Sequence, residues 1–331
     1  MMNRSHRFIR HSLVFYLLAG LILSGCSSPP VETPEPAPVG VDPPVYGLVY
    51  PYPPYAWEIA DSDAMRTNFA RIKSLGIETV IQAFPASLIG SEKEANLSIL
   101  LDEARRADIR VIASLWPSIE KEDNSIDYQA IYSLLTVIKD HPALQGYLGL
   151  HEPLERFTSD QLREFYSTVK SMAPDLPLAH FMGNIAGFDH NVRFPNRDFT
   201  AGICDICLVW YYPASIQGDQ FVFKKEEYRK YLVENRDLLA ERAPGAEMWV
   251  LGQAFSVAEH EPALRMPSPE EMQDMFVIAY QERVDGILWY PWLHDSYDTV
   301  LSDVGMEGQQ EAIRQIYQKF ILPGPQTSSD P

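Results

Sequence analysis

Gln145-Gly-Tyr-Leu-Gly-Leu-His-Glu-Pro153 is apolar from Tyr147 to Leu150 and turns polar within the next two residues. A short apolar run with no polar alternation predicts a strand covered on both faces, the kind found in parallel sheets. Pro153 ends it, because proline has no N–H to give a ladder. Upstream, Tyr128 to Asp140 carries the apolar spacing of a helix. Downstream, Thr158 or Ser159 supplies a cap for another helix, Ser159 to Met172. Helix, buried strand and helix joined by short connections form one turn of a β/α alternation.

The same alternation extends in both directions. Strands are predicted at Tyr46–Tyr52, Glu78–Phe84, Arg110–Trp116, Gln145–His151, Leu178–Met182, Ile206–Tyr211, Met248–Ala254 and Gly286–Tyr290. The remaining helices are predicted near Asp63–Leu75, Glu94–Ala107, Lys225–Arg242, from Pro269 onward, and near Gln309–Phe320. Gly76 suits a helix C-cap, and Ser268 before Pro269 suits an N-terminus. Eight strands, nearly all followed by a helix, predict an α/β chain of the (β/α)8 TIM-barrel class over residues 45–322. An open doubly wound sheet is the competing arrangement, but no G-x-G-x-x-G follows the first strand.

The chain begins with Arg4, Arg7 and Arg10, then an apolar stretch from Leu13 to Leu23, then Leu23-Ser24-Gly25-Cys26. The stretch is too short to span a bilayer well and precedes small residues, which predicts a signal peptide over residues 1–25. Leu-Ser-Gly-Cys resembles the lipobox of bacterial lipoproteins. That resemblance implies a lipidated Cys26, an extracytoplasmic location in a bacterial cell envelope, and membrane attachment through the lipid anchor only. Ser27 to Pro44 holds seven prolines among eighteen residues, so residues 26–44 are expected to form an extended tether. Residues 323–331 are expected to be a structureless tail. With 27 Lys+Arg against 45 Asp+Glu, the net charge is −18, which argues against nucleic acid as a partner.

In barrels of this class the chemistry sits at the strand C-termini. Five of the six tryptophans fall at such ends. Tyr50, Trp116, Trp289 and Trp292 therefore read as an aromatic rim for a carbohydrate ligand, with aromatic faces against sugar C–H faces. Asn184 ends the fifth strand and Tyr212 follows the sixth. Glu152 is the sharpest candidate. By alternation it shares a face with Leu148 and Leu150, which gives it an apolar floor, a raised pKa and the character of a general acid/base.

His151-Glu152-Pro153 at the end of the fourth strand resembles the Asn-Glu-Pro of clan A glycoside hydrolases. That resemblance implies that Glu152 is the acid/base, that Tyr212 stands near the nucleophile, and that Trp289 is a sugar platform. His151 replaces the asparagine that would hold a sugar hydroxyl. Gln253 stands on the seventh strand where the family places its nucleophilic Glu, and an amide cannot form a glycosyl-enzyme ester. Two functions follow as expectations. One is a lipid-anchored glycoside hydrolase acting on a polysaccharide or glycoconjugate. The other is a non-catalytic glycan-binding or envelope-assembly lipoprotein with a degenerate site. A second carboxyl is sought among Asp189, Glu259, Glu261 and Asp295, and inverting chemistry tolerates the wider separation they imply.

Cys204-Asp-Ile-Cys207 matches C-x-x-C but has no partner pair for zinc, and reads as two buried thiols. No metal and no cofactor motif is expected, since neither a nucleotide loop nor a G-x-S-x-G elbow occurs.

Overall fold

The computed structural model describes residues 43–49, 61–116, 118–121, 123–189, 196–294 and 297–322. The predicted signal peptide, Cys26, most of the tether, Tyr50 and the tail lie outside these residues. Eight strands close into a barrel: β1 (Val45–Val49), β2 (Thr79–Ala83), β3 (Arg110–Ser114), β4 (Leu144–His151), β5 (Leu178–Phe181), β6 (Ile206–Trp210), β7 (Glu247–Gln253) and β8 (Gly286–Tyr290). Each is parallel to its neighbours, and β8 closes on β1 with Val45 opposite Gly286 and Leu48 opposite Trp289. The helices are α1 (Ser62–Ser74), α2 (Ala95–Arg106), α3 (Tyr128–Ile138), α4 (Ser159–Met172), α5 (Ile185–Asp189), α6 (Lys225–Arg242), α7 (Pro269–Gln281) and α8 (Glu307–Ile316). The barrel expected from the sequence is the barrel observed.

The helix ends follow the sequence closely. Thr158 and Gln161 close a capping box on α4, and Ser268 and Glu271 close another on α7 with Pro269 at its first position. Gly76 follows α1 with φ +85°, the left-handed conformation that glycine adopts without a Cβ clash.

Alternation along the strands divides the core into two layers. Val49, Ile81, Ile112, Leu148, Leu208 and Leu251 fill the barrel interior. Leu48, Val80, Val111, Val250, Ile287 and Trp289 face outward and pack under the helices. Tyr46 joins the second layer: its hydroxyl donates to Ile313 O on α8 at 3.0 Å and accepts from Trp289 Nε1 at 2.9 Å.

Two features differ from the sequence reading. Loops after β6, β7 and β8 form a small antiparallel rim sheet that alternation alone does not announce. Ala214–Gln217 pairs with Gln220–Phe223, Phe255–Ser256 pairs with Thr299–Val300, and Leu264 bridges both Ser215 and Val257. Cys204 and Cys207 are joined in a disulfide, with Cα atoms 6.3 Å apart, so the buried-thiol reading is corrected. The cause is local: β6 begins at Ile206, so Cys204 precedes the strand and its alternation does not hold the two side chains on opposite faces.

Candidate functional site

β4 does not run evenly to its end. Leu148 faces Ala179 of β5 and His151 faces Phe181, so Gly149 and Leu150 together oppose the single residue His180. This is a β-bulge, a device that re-aims side chains near sites. It overturns the expected floor: Leu148 lies inside the barrel, while Leu150 packs in the outer layer. The extra residue turns His151 inward. Glu152 then leaves the sheet with φ +44° and ψ +51°, a left-handed conformation that costs a residue with a Cβ about 1–2 kcal/mol. That twist brings the Glu152 carboxyl into the cavity beside His151, with Nδ1 and Oε2 3.9 Å apart.

The surroundings of Glu152 are built from three strands. Its N–H donates to Phe181 O at 2.7 Å. Gly183 lies alongside it in a left-handed conformation with φ +66°, and a Cβ there would stand in contact with Oε1 at 3.4 Å. The Tyr231 hydroxyl from α6 donates to Gly183 O at 2.7 Å and accepts from Trp210 N at 3.2 Å, tying the ends of β5 and β6 together. His151 lies between two indoles, 5.0 Å from Trp116 at an interplanar angle of 27° and 5.5 Å from Trp210 at 29°. Glu120, itself paired with Arg156, accepts from His151 N at 3.0 Å.

These environments set the charges. Burial pushes the Glu152 carboxyl above its ordinary pKa, the Glu155 charge adds to this, and Arg156 opposes it. Burial lowers the His151 imidazole to about 4, helped by Arg156, so it is neutral at pH 7. On the opposite wall, burial holds the Tyr212 and Tyr290 phenols well above their ordinary range, which keeps them as O–H groups. Tyr297 donates to the Tyr290 hydroxyl at 3.2 Å, and the Phe255 ring stands edge-on to Tyr212.

Together these walls enclose a cavity of about 330 Å³ at the strand C-termini. Its size falls within the range of small-ligand pockets. Trp116, His151, Glu152 and Tyr212, all expected from the sequence, line it. Trp210, Tyr290 and His294, which the sequence places at or just beyond strand ends, line it as well, together with Tyr297 and His260, which the sequence does not single out. Among the described lining residues, Glu152 is the only carboxyl. No group of three His, Cys, Asp or Glu among the described residues is placed to hold a metal ion.

The other sequence candidates lie elsewhere. Trp289 is fully buried in the outer layer, because β8 sends Tyr290, one residue on, toward the cavity. Trp292 is likewise fully buried, with its backbone N–H donating to Val49 O at 2.9 Å. The two are core residues, and the platform reading is corrected for both. Gln253 is also fully buried. Its Oε1 accepts from Ala214 N at 2.9 Å, and its Nε2 donates to Ala214 O at 2.9 Å and Arg265 O at 2.8 Å. The amide pairs with Ala214 as a strand residue would and anchors the rim sheet. It presents nothing to a ligand, which corrects its assignment to the binding set. Asn184 is exposed and accepts from Gly187 N at 3.1 Å, bonding the start of α5 rather than lining the cavity. Glu259 and Glu261 are exposed and do not line it. Tyr50 and Asp295 fall outside the described residues, and the side chain of Asp189 is likewise not described.

Known structures share this barrel at low sequence identity. A GH5_18 protein from Streptomyces cattleya in complex with GlcNAc is 15% identical with a TM-score of 0.62, covering 86% of this chain and 82% of that one. A protein described as glycoside hydrolase-like is 9% identical with a TM-score of 0.61, covering 88% and 98%. The GH99 endo-alpha-mannosidase from Bacteroides thetaiotaomicron is 9% identical with a TM-score of 0.57, covering 77% of each chain. The chain shares the (β/α)8 barrel fold of these neighbours. At these identities the likeness concerns the fold. No protein-family model and no curated protein sequence matches the chain.

Proposed function

We propose that this protein is an exported, lipid-anchored glycosidase-like barrel that acts on a polysaccharide or glycoconjugate, with Glu152 as general acid/base. The observation that carries the reading is the Glu152 carboxyl: raised in pKa by burial, held in a strained backbone conformation, and facing a cavity walled by indoles and phenols. A carboxyl whose pKa is raised by burial holds its proton to higher pH and is suited to give it to a departing glycosidic oxygen. Trp116 and Trp210 offer apolar contact to a sugar, and the Tyr212 and Tyr290 hydroxyls offer donors to its oxygens. The GlcNAc bound by the Streptomyces cattleya neighbour supports a saccharide as the ligand class. The lipobox resemblance at Cys26 supports the anchor, and the Cys204–Cys207 disulfide suits an oxidising compartment outside the cytoplasm.

A second reading has its own observation. Gln253 occupies the strand-7 position with its amide fully engaged, which favours a glycan-binding protein whose hydrolytic site is degenerate. The two readings part on Glu152→Gln. As an enzyme, the wild type turns over members of a panel of activated glycosides, and Glu152→Gln lowers that turnover by about 10²–10⁴-fold while binding persists. The basic limb of the wild-type pH profile lies above the ordinary carboxylate range, because activity falls as Glu152 loses its proton. Wild-type turnover untouched by Glu152→Gln rejects the role of Glu152. Glycan binding with no turnover in either protein selects the second reading.

Location has a separate test. The wild-type mature chain is expected to partition into detergent with membranes, and Cys26→Ala to be released or misprocessed. A wild-type mature chain that stays fully aqueous rejects the anchor.

A further inference from the structure

We infer that His180, on the outward face of β5, is a positioning residue that holds the β4 bulge and thereby delivers His151 and Glu152 to the cavity. The bulge places two residues of β4 opposite one residue of β5, which takes the Leu150 N–H out of the regular ladder. A buried N–H left without an acceptor costs about 1–3 kcal/mol. His180 supplies that acceptor: Leu150 N donates to Nδ1 at 2.9 Å, inside a fully buried contact. Because Nδ1 accepts, the ring carries its proton on Nε2 and is neutral, as burial also dictates.

The second half of the lock is Gly149. A Cβ there would stand 2.6 Å from His180 Cε1, 2.6 Å from Phe165 Cε1 and 2.9 Å from His180 Nδ1. The imidazole occupies the space of the missing side chain, and Phe165 of α4 stands 5.6 Å from it, ring to ring. Glycine on β4, histidine on β5 and phenylalanine on α4 thus fix one extra residue in one strand. Without the bulge, regular alternation through Gly149 and Leu150 would send His151 toward the helices, away from Trp116 and Trp210. His180 does not line the cavity; it acts through the backbone of β4.

The inference rests on Glu152 being the working carboxyl, and its test separates the two ideas. The Glu152 carboxyl is titrated by carbon NMR in the resting protein, assigned by its disappearance in Glu152→Gln. His180→Leu removes the acceptor, and His180→Asn returns one through its side-chain oxygen. In His180→Leu the Glu152 pKa is expected to fall back toward the ordinary carboxylate value. Turnover is expected to fall about 10²-fold with little change in KM, the scale of an ångström-size misplacement. His180→Asn is expected to restore both, and Gly149→Ala to reproduce the loss. A folded His180→Leu protein in which Glu152 titrates as in wild type overturns the inference. If His180→Leu does not fold, the nitrogen shifts of the wild-type ring decide: a protonated Nδ1 cannot accept from Leu150 and overturns it, and a bare Nδ1 supports it. Absence of turnover in the wild type rejects the glycosidase reading, and the titration still decides the role of His180.

Discussion

At the end of β4, Glu152 leaves the sheet in a left-handed conformation, and among the described residues its carboxyl makes no closer polar side-chain contact than His151 at 3.9 Å. At the end of β7, Gln253 stays in the sheet, fully buried, with both ends of its amide bonded to backbone. Both residues occupy the face where such barrels do chemistry. The difference teaches that a strand-end position becomes a functional group only when its polar atoms are left unspent. Glu152 carries strain and desolvation that its own contacts do not repay, a pattern more often associated with function than with folding. Gln253 has the opposite signature, since every bond it makes holds the rim sheet to the barrel.

The same contrast divides the aromatic residues, and there the largest effect is expected. Trp289 is fully buried between β8 and the helices, whereas Trp116 lines the cavity. Trp289→Ala is expected to destabilise the protein by about 3–5 kcal/mol in a denaturant titration, because it empties a packed core site and leaves the Tyr46 hydroxyl without its donor. Trp116→Ala is expected to leave stability nearly unchanged and to weaken saccharide binding instead. Equal losses of stability from the two would erase the distinction between core and rim.

The next effect is smaller and concerns Gln253 directly. From the sequence alone, Gln253→Glu promises to restore a missing nucleophile. The structure reverses that expectation: a carboxyl there loses the two Nε2–H groups that serve Ala214 O and Arg265 O and places an acid in a fully buried position. A loss of about 2–4 kcal/mol is expected, from two acceptors left poorly paired, with no gain of turnover. A stable Gln253→Glu protein with new activity would show that the amide is not the anchor described.

How much of this was legible beforehand depends on which signal carried it. Strand and helix order was legible because short continuous apolar runs alternate with longer segments of 3.6-residue apolar spacing, and the caps at Thr158 and Ser268 were written in residue type. Which face each strand residue takes was not. Gly286-Ile-Leu-Trp-Tyr290 is apolar on both sides, so nothing in it distinguishes Trp289 from Tyr290, and the structure places the second at the cavity. Glu152 was found for a reason that fails in detail, since the alternation with Leu148 and Leu150 is broken by the bulge. Gly149, an isolated glycine inside a strand, was the available hint. The rim sheet was illegible because its pieces are two to four residues long and find their partners across three different loops.

The smallest effect tests whether Glu152 is held against its own preference. Glu152→Gly removes the Cβ that opposes φ +44°, and is expected to raise stability by about 0.5–1 kcal/mol after the extra flexibility of glycine in the unfolded chain is counted. Glu152→Ala keeps the backbone penalty and is expected to gain less. Glu152→Gln separates strain from charge. The native carboxyl binds its proton more tightly than the unfolded one, so its cost to stability is absent at low pH and appears as pH rises through the unfolded and then the native pKa. Any gain in Glu152→Gln should therefore vanish below the ordinary glutamate range, whereas the gain in Glu152→Gly should keep its backbone part there. Thermal unfolding of the three variants at pH 3.5 and pH 7, two points flanking about 4.3 for an unperturbed glutamate, measures both. Loss of the glycine gain at the lower pH would mean that desolvation alone, and not the left-handed turn, makes the end of β4 differ from the end of β7.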